Sequence, residues 1–125
     1  MRENEISGVI LDSCIQIHSR LGPGLLESVY EAVLAYELKK RGLHSNRQSP
    51  IPVIYEDVRL ELGFRADFIV EELVVVELKS VENLLPVHKM QVLTYLRLSG
   101  LKLGLLINFN VKLIKDGFVR VVNGL

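Results

Sequence analysis

Residues 65–80 read RADFIVEELVVVELKS. Aliphatic and β-branched side chains dominate both halves and the acidic pair Glu71-Glu72 separates them, which predicts two buried β-strands joined by a turn. The stretch nevertheless carries Asp67 near its start and Glu77 and Lys79 near its end. A charged group buried without a partner is strongly unfavourable, so the rest of the chain must supply partners or a use for these three.

Glu77 and Lys79 are two residues apart on a strand and share a face, and simple parity adds Leu73 and Val75. The position of Asp67 depends on the turn. A two-residue turn, Glu71 and Glu72, sets Asp67 opposite Val76 and pointing away from Glu77. A three-residue turn, Val70 to Glu72, sets it opposite Val75 and diagonal to Glu77 on one face, at roughly 7–8 Å between Cα atoms. A bulge gives the same parity. One of the latter two is expected, because two carboxylates on one face can share a divalent cation. Mg²⁺ or Mn²⁺ takes hard oxygen ligands, commonly one or two carboxylates with water and phosphate oxygens. A lysine beside the ion can hold an attacking water or neutralise charge developing on a phosphate. The plainer reading is a structural ion pair at the sheet rim, Glu77 or Asp67 with Lys79 or Arg65. An E-x-K triplet alone carries little information; set after LVVV and preceded by an in-strand aspartate, it carries more.

Working outward, the segment belongs to a longer meander, PIPVIYEDVRLELGFRADFIVEELVVVELKS, read as strands over about 52–56, 58–69 and 73–79. Upstream, Asn4 is placed to cap a helix over about Glu5–Arg20, with Ile6, Val9, Ile10, Ile17 and Leu21 on one face. LGPGL then breaks the chain, and a second helix follows over about Leu26–Arg41, ended by Gly42. Downstream, Pro86 starts a third helix that Gly100 ends. KLGLLINF reads as a central strand covered on both faces. VKLIKDGFVRVVN reads as a final hairpin with Asp116-Gly117 as a type I′ turn. The order is ααβββαββ. A helical crossover makes strands three and four parallel neighbours, so the expected fold is α/β (α+β), a mixed central sheet flanked by helices, in one domain over residues 1–125.

The bulk composition narrows the function classes. Lys+Arg and Asp+Glu number 15 each, so the net charge is zero and nucleic acid must be gripped, if at all, by a local basic patch. The lone cysteine, Cys14, excludes an internal disulfide and fits a reduced cytoplasm; a buried, inert thiol is expected. No apolar run is long enough to span a membrane, and the N-terminus lacks the basic start and long apolar core of a signal peptide.

The pattern Asp67…Glu77-x-Lys79 resembles the PD-(D/E)XK nuclease superfamily, whose core runs helix, three-strand meander, helix, strand. Ala66 stands where the motif's name has proline. GLLESVY, Gly24 to Tyr30, is similar to the signature of the bacterial GxxExxY protein family within that superfamily. QVLTY, Gln91 to Tyr95, resembles the Q-x-x-x-Y motif on the helix after the E-x-K strand in some branches. The resemblance covers nearly the whole chain, and the four elements in order are specific where no single one is. It implies a restriction-endonuclease-like core. It implies Asp67, Glu77 and the Leu78 backbone carbonyl as metal ligands, with Glu27 supporting the metal or its water, and Lys79 as the catalytic ammonium.

Residue by residue, plainer readings stand beside these. Gln91 and Tyr95 share one helix face by their spacing, with His88 one turn earlier. They can orient Lys79 or a phosphate, or form a polar face around a half-buried tyrosine. His88 is a supporting residue or a surface one, and Tyr30 lies close to the Glu27 face. Glu27 can equally be a first-turn acid favoured by the helix dipole. Lys39, Lys40, Arg47 and Arg65, with Arg59, are candidate phosphate contacts or solvated charges, as are Lys112, Lys115 and Arg120. Two functions are expected to compete: a Mg²⁺- or Mn²⁺-dependent nuclease acting on nucleic acid, DNA first and weakly alone, and a non-catalytic interaction module keeping the nuclease fold. A chain this close to a bare core is expected to use a homodimer or a protein partner, with the final hairpin as a pairing edge.

Overall fold

A computed structural model describes residues 1–125, the side chain of Leu62 excepted. Two helices, α1 (Glu3–Leu21) and α2 (Glu27–Lys40), precede a three-strand meander, β1 (Ser45–Tyr55), β2 (Val58–Val70) and β3 (Val74–Lys79). Helix α3 (Pro86–Ser99) crosses to β4 (Leu103–Asn108), and a short 3-10 helix (Ile114–Gly117) leads into β5 (Phe118–Val122). The five strands form one sheet in the order β1-β2-β3-β4-β5, with β3 and β4 parallel and every other pair antiparallel. This is the ααβββαββ order and the mixed, helix-flanked sheet that the hydrophobic pattern predicts.

The centre of the sheet is buried on both faces. Ile6, Ile10, Cys14 and Ile17 of α1 and Tyr30, Leu34 and Leu38 of α2 pack on Phe68, Val70, Val74, Val76 and Leu78. Val92, Tyr95 and Leu96 of α3 pack on Ile51, Ala66, Val75, Leu106 and Val121 on the other face. β3 and β4 sit centrally between the layers, which is why their sequences are almost unbroken apolar runs. α3 lies close to the sheet because residue 104 has no side chain; a Cβ there would stand 2.5 Å from Val92 Cγ1. Cys14 is fully buried and burial pushes its thiol up, as an inert core residue requires.

Four local expectations change. β1 begins at Ser45, seven residues before the predicted start. It is an edge strand bonded only to β2, so polar residues and Pro50 and Pro52 are tolerated where a central strand would exclude them. Asn4 lies inside α1 rather than capping it. The cap is Arg2, whose amide donates to Glu5 Oε1 at 3.1 Å, while Asn4 accepts from Arg120 Nη2 at 2.6 Å. The final hairpin is absent: residues 114–117 are 3-10 and a single strand follows. Gly117 serves close approach, since a Cβ there would collide with the Asn108 carbonyl. Leu73 packs with the α1/α2 layer beside Val74, outside the alternation that would put it with Val75.

Candidate active site

The turn between β2 and β3 sets the register. Glu71 and Glu72 both adopt left-handed backbone, at φ 53 and 58, and the Leu73 amide donates to the Val70 carbonyl at 3.0 Å. Pairing nevertheless begins with Val70 opposite Val74, so Leu73 is an extra residue on the β3 side. The next rungs are Ile69 with Val75 and Phe68 with Val76. The paired rungs end there, and the next residues along, Asp67 and Glu77, are joined through the Asp67 N–H and the Glu77 carboxylate rather than set on the diagonal expected. The turn is clamped from the residue before β1: His44 N–H donates to Glu71 Oε2, and Glu71 N–H to the His44 carbonyl, both at 2.8 Å.

At Asp67 the ordinary ladder gives way. Asp67 N–H donates to Glu77 Oε1 at 2.9 Å, and Leu78 N–H donates to Asp67 Oδ2 at 2.8 Å. The strand alternation also breaks here. Phe64 and Ala66 face α3, whereas Phe68 and Val70, of the same parity, face α1 and α2. Asp67 sits at the switch and is reached from both layers.

The electrostatics follow from this crowding. Burial, then the neighbouring Asp67 carboxylate, push Glu77 up to about 7, against the opposing pull of the Asp67 amide and of Lys79. Burial likewise raises Asp67, with a further push from Glu31, while the Leu78 amide, Gln48 and Lys79 act against it. Lys79 is half-buried and near enough to favour both carboxylates, yet it is in none of the ion pairs among the described residues. Tyr95 is buried on α3, tilted against Phe64 with ring centroids 4.8 Å apart. Burial and the two carboxylates push its hydroxyl up to about 12, so it stays a neutral donor.

Glu27 opens α2 beside the end of β3. Its Oε2 accepts from Ser80 N–H at 3.4 Å, while Ser80 Oγ donates to the Leu25 carbonyl at 2.7 Å. It contributes to the raised Glu77. An open cleft of about 530 Å³ runs past this point, lined by Gly24, Leu25, Leu26, Glu27, Ser28, Ser80 and Asn110. Asp67 and Glu77 are not in its wall; Glu27 links the cleft to them.

Other candidates fall elsewhere. Tyr30 builds the loop before α2: its hydroxyl donates to the Gly22 carbonyl at 2.6 Å and accepts from Leu25 N–H at 3.2 Å, and its ring stacks on Phe109. His88 Nδ1 accepts Leu85 N–H at 3.0 Å and so caps α3. Gln91 is half-buried one turn before Tyr95. Arg65 is exposed on β2. Lys39 and Lys40 end α2, about 18–20 Å along its axis from Glu27. Arg47 is paired with Glu31 at 2.8 Å.

Three residues escaped the sequence reading. Glu31 follows Glu27 by four and shares its helix face; that spacing was the available signal. Gln48 Nε2 donates to Glu31 Oε1 and, at 3.2 Å, to Asp67 Oδ1, and no local pattern marks it. Asn108 is buried opposite Lys79 in the parallel register, and its side chain holds Val81 and Asn110. A polar residue closing an apolar strand was its signal.

The donor set suits a hard divalent cation. The Asp67 carboxylate is near enough to repel that of buried Glu77, and a cation bound by both would relieve that repulsion. Among the described residues no three Asp, Glu, His or Cys side chains stand close enough to cage an ion alone. Any ion would keep open positions for water or phosphate, as Mg²⁺ commonly does. No helix among the described residues is long and apolar enough to cross a membrane.

No curated protein and no solved structure matches the chain. The family model of the PD-(D/E)XK nuclease superfamily matches residues 4–121, which takes in nearly all of the three helices and of the sheet. The helix, meander, helix, strand order, with an aspartate and an E-x-K lysine brought together at the strand ends, agrees with that match, and the chain belongs to the PD-(D/E)XK nuclease superfamily.

Proposed function

We propose that residues 1–125 form one nuclease-like domain that hydrolyses nucleic-acid phosphodiester bonds with Mg²⁺ or Mn²⁺, DNA being the first substrate to try. The observation that carries this reading is the opposed pair Asp67 and Glu77, each held by a backbone N–H and both raised by burial, with the Lys79 ammonium beside them. When bound, the ion would polarise the scissile phosphate and lower the pKa of a water. Asp67, Glu77 and the Leu78 carbonyl are the proposed ligands, with Glu27 supporting from α2. Lys79 stabilises the charge that develops on phosphate oxygen. Gln91 and Tyr95 orient Lys79 or the phosphate from α3, and His88 fixes the start of that helix. GLLESVY supports placement in the GxxExxY family, whose glutamate is Glu27.

Grip on nucleic acid is assigned to Arg65 and Arg47 near the site and to Lys39 and Lys40 further along α2. With zero net charge, this grip is weak alone. A homodimer or a protein partner would supply the rest, using the free edge of β5. Light scattering after gel filtration is expected to find a dimer; a monomer at working concentration would remove that part. The lone buried cysteine fits a reducing, cytoplasmic setting.

Calorimetric titration with Mn²⁺ tests the core of the proposal: wild type binds and Glu77→Ala does not. A second reading, a non-catalytic interaction module, draws on the lack of a three-ligand cluster among the described residues and on the pairing of Arg47 with Glu31. It expects no Lys79-dependent cleavage of duplex, single-stranded or branched substrates with either metal.

A further inference from the structure

We infer that Gln48 is a positioning residue that fixes the Asp67 carboxylate by bridging it to Glu31; this rests on the metal reading above. Gln48 lies in the middle of β1 with φ 48, flanked by the rungs Arg47–Phe68 and Ser49–Ala66. The register is the same on both sides, so the left-handed residue inserts nothing into the ladder. Its effect is to re-aim one side chain, opposite Asp67, where β2 exchanges faces.

Left-handed backbone is costly for any residue with a Cβ and is best served by Gly or Asn. Gln48 is exposed, so no surrounding packing forces the conformation. Its reach accounts for the choice. Nε2 donates to Glu31 Oε1 and to Asp67 Oδ1. Carboxylates only accept, so the amide nitrogen faces both. Arg47 Nη2 holds the other Glu31 oxygen at 2.8 Å, and Leu78 N–H holds the other Asp67 oxygen at 2.8 Å. Both oxygens of Asp67 are therefore fixed, one by the strand opposite and one through Gln48. Asn lacks a methylene and cannot span the same gap. Hydrogen bonds to a ligating carboxylate typically alter metal affinity by 10–100-fold.

The test compares Gln48→Gly and Gln48→Asn with wild type in two assays. Without metal, both variants are expected to melt at or above the wild-type temperature, because the backbone is relaxed. Gln48→Gly is also expected to be non-additive with Asp67→Asn in urea unfolding. With Mn²⁺, calorimetry is expected to show both variants about 10–100-fold weaker. Unchanged Mn²⁺ affinity, or a large loss of melting temperature in both variants, overturns the inference. A wild type that takes up no Mn²⁺ overturns the metal reading; the link of Gln48 to Asp67 is then decided by the metal-free cycle, where strict additivity overturns it and coupling supports it.

Discussion

Asp67 and Glu77 each hold a backbone N–H of the other's strand: Glu77 takes the amide of Asp67 itself, and Asp67 takes the amide of Leu78. Side-chain oxygens thus stand in for carbonyl acceptors at the end of a ladder, which lets the two strands part while these two N–H groups stay satisfied. The parting leaves two carboxylates near enough for Asp67 to raise Glu77, and that repulsion is the measurable handle on the site.

The pH dependence of stability follows from that. Glu77 is raised in the folded state, from the ordinary glutamate range to about 7, so the folded protein binds the proton more tightly than the unfolded chain. The stabilisation is present when the proton is bound in both states' lower range and is lost as pH rises through about 7. Asp67 is shifted in the same direction. Metal-free protein is expected to lose stability between about pH 4.5 and 7, by up to about 3 kcal/mol from Glu77. Glu77→Gln should flatten this slope and be more stable than wild type at pH 8. Urea unfolding at pH 5 and pH 8 for both proteins measures it.

A divalent cation should act oppositely. It binds deprotonated carboxylates, so its effect grows as pH rises through about 7. Mn²⁺ at 100 times its dissociation constant is expected to stabilise wild type by about 2.7 kcal/mol at pH 8. At pH 5 the gain should be small, and Asp67→Ala and Glu77→Ala should show none at either pH. Thermal melts with and without EDTA distinguish these.

Lys79 favours both carboxylates without an ion pair to either among the described residues, which leaves its ammonium available to a phosphate. Lys79→Met is expected to lower the cleavage rate by about 10²–10³-fold, the range for one electrostatic donor to a transition state. Mn²⁺ affinity should change far less. Cleavage of labelled DNA in parallel with calorimetry separates the two effects.

Tyr95 combines packing with proximity to the acids. Tyr95→Ala should cost about 3–5 kcal/mol through the cavity left against Phe64 and Ala66. Tyr95→Phe keeps the ring and is expected to stay within about 1.5 kcal/mol of wild type. A drop in cleavage by Tyr95→Phe then reports on the hydroxyl alone.

Gly104→Ala probes the seat of α3. The added methyl meets Val92 at the base of the helix, so a loss of about 1–3 kcal/mol is expected from overpacking. Because α3 also carries Gln91 and Tyr95, cleavage should fall with the displacement, and near-ultraviolet circular dichroism should report the moved tyrosine.

The chain's own patterning determined the order of elements, the mixed sheet and the central place of β3 and β4. These rest on periods of two and of about 3.6 residues, which any short window reveals. Tertiary structure alone decided the rest. The Asp67 amide reaches the Glu77 carboxylate because two glutamates accept left-handed backbone and Leu73 bulges, a turn that glutamate does not announce and that a clamp from His44, 27 residues upstream of Glu71, holds in place. Gln48 and Glu31 join the site through hydrogen bonds between residues 17 and 19 apart. The last hairpin gave way to a 3-10 turn in which Gly117 packs against the Asn108 carbonyl. Register, strain and close approach are settled between segments distant in sequence, and local periodicity carries no record of them.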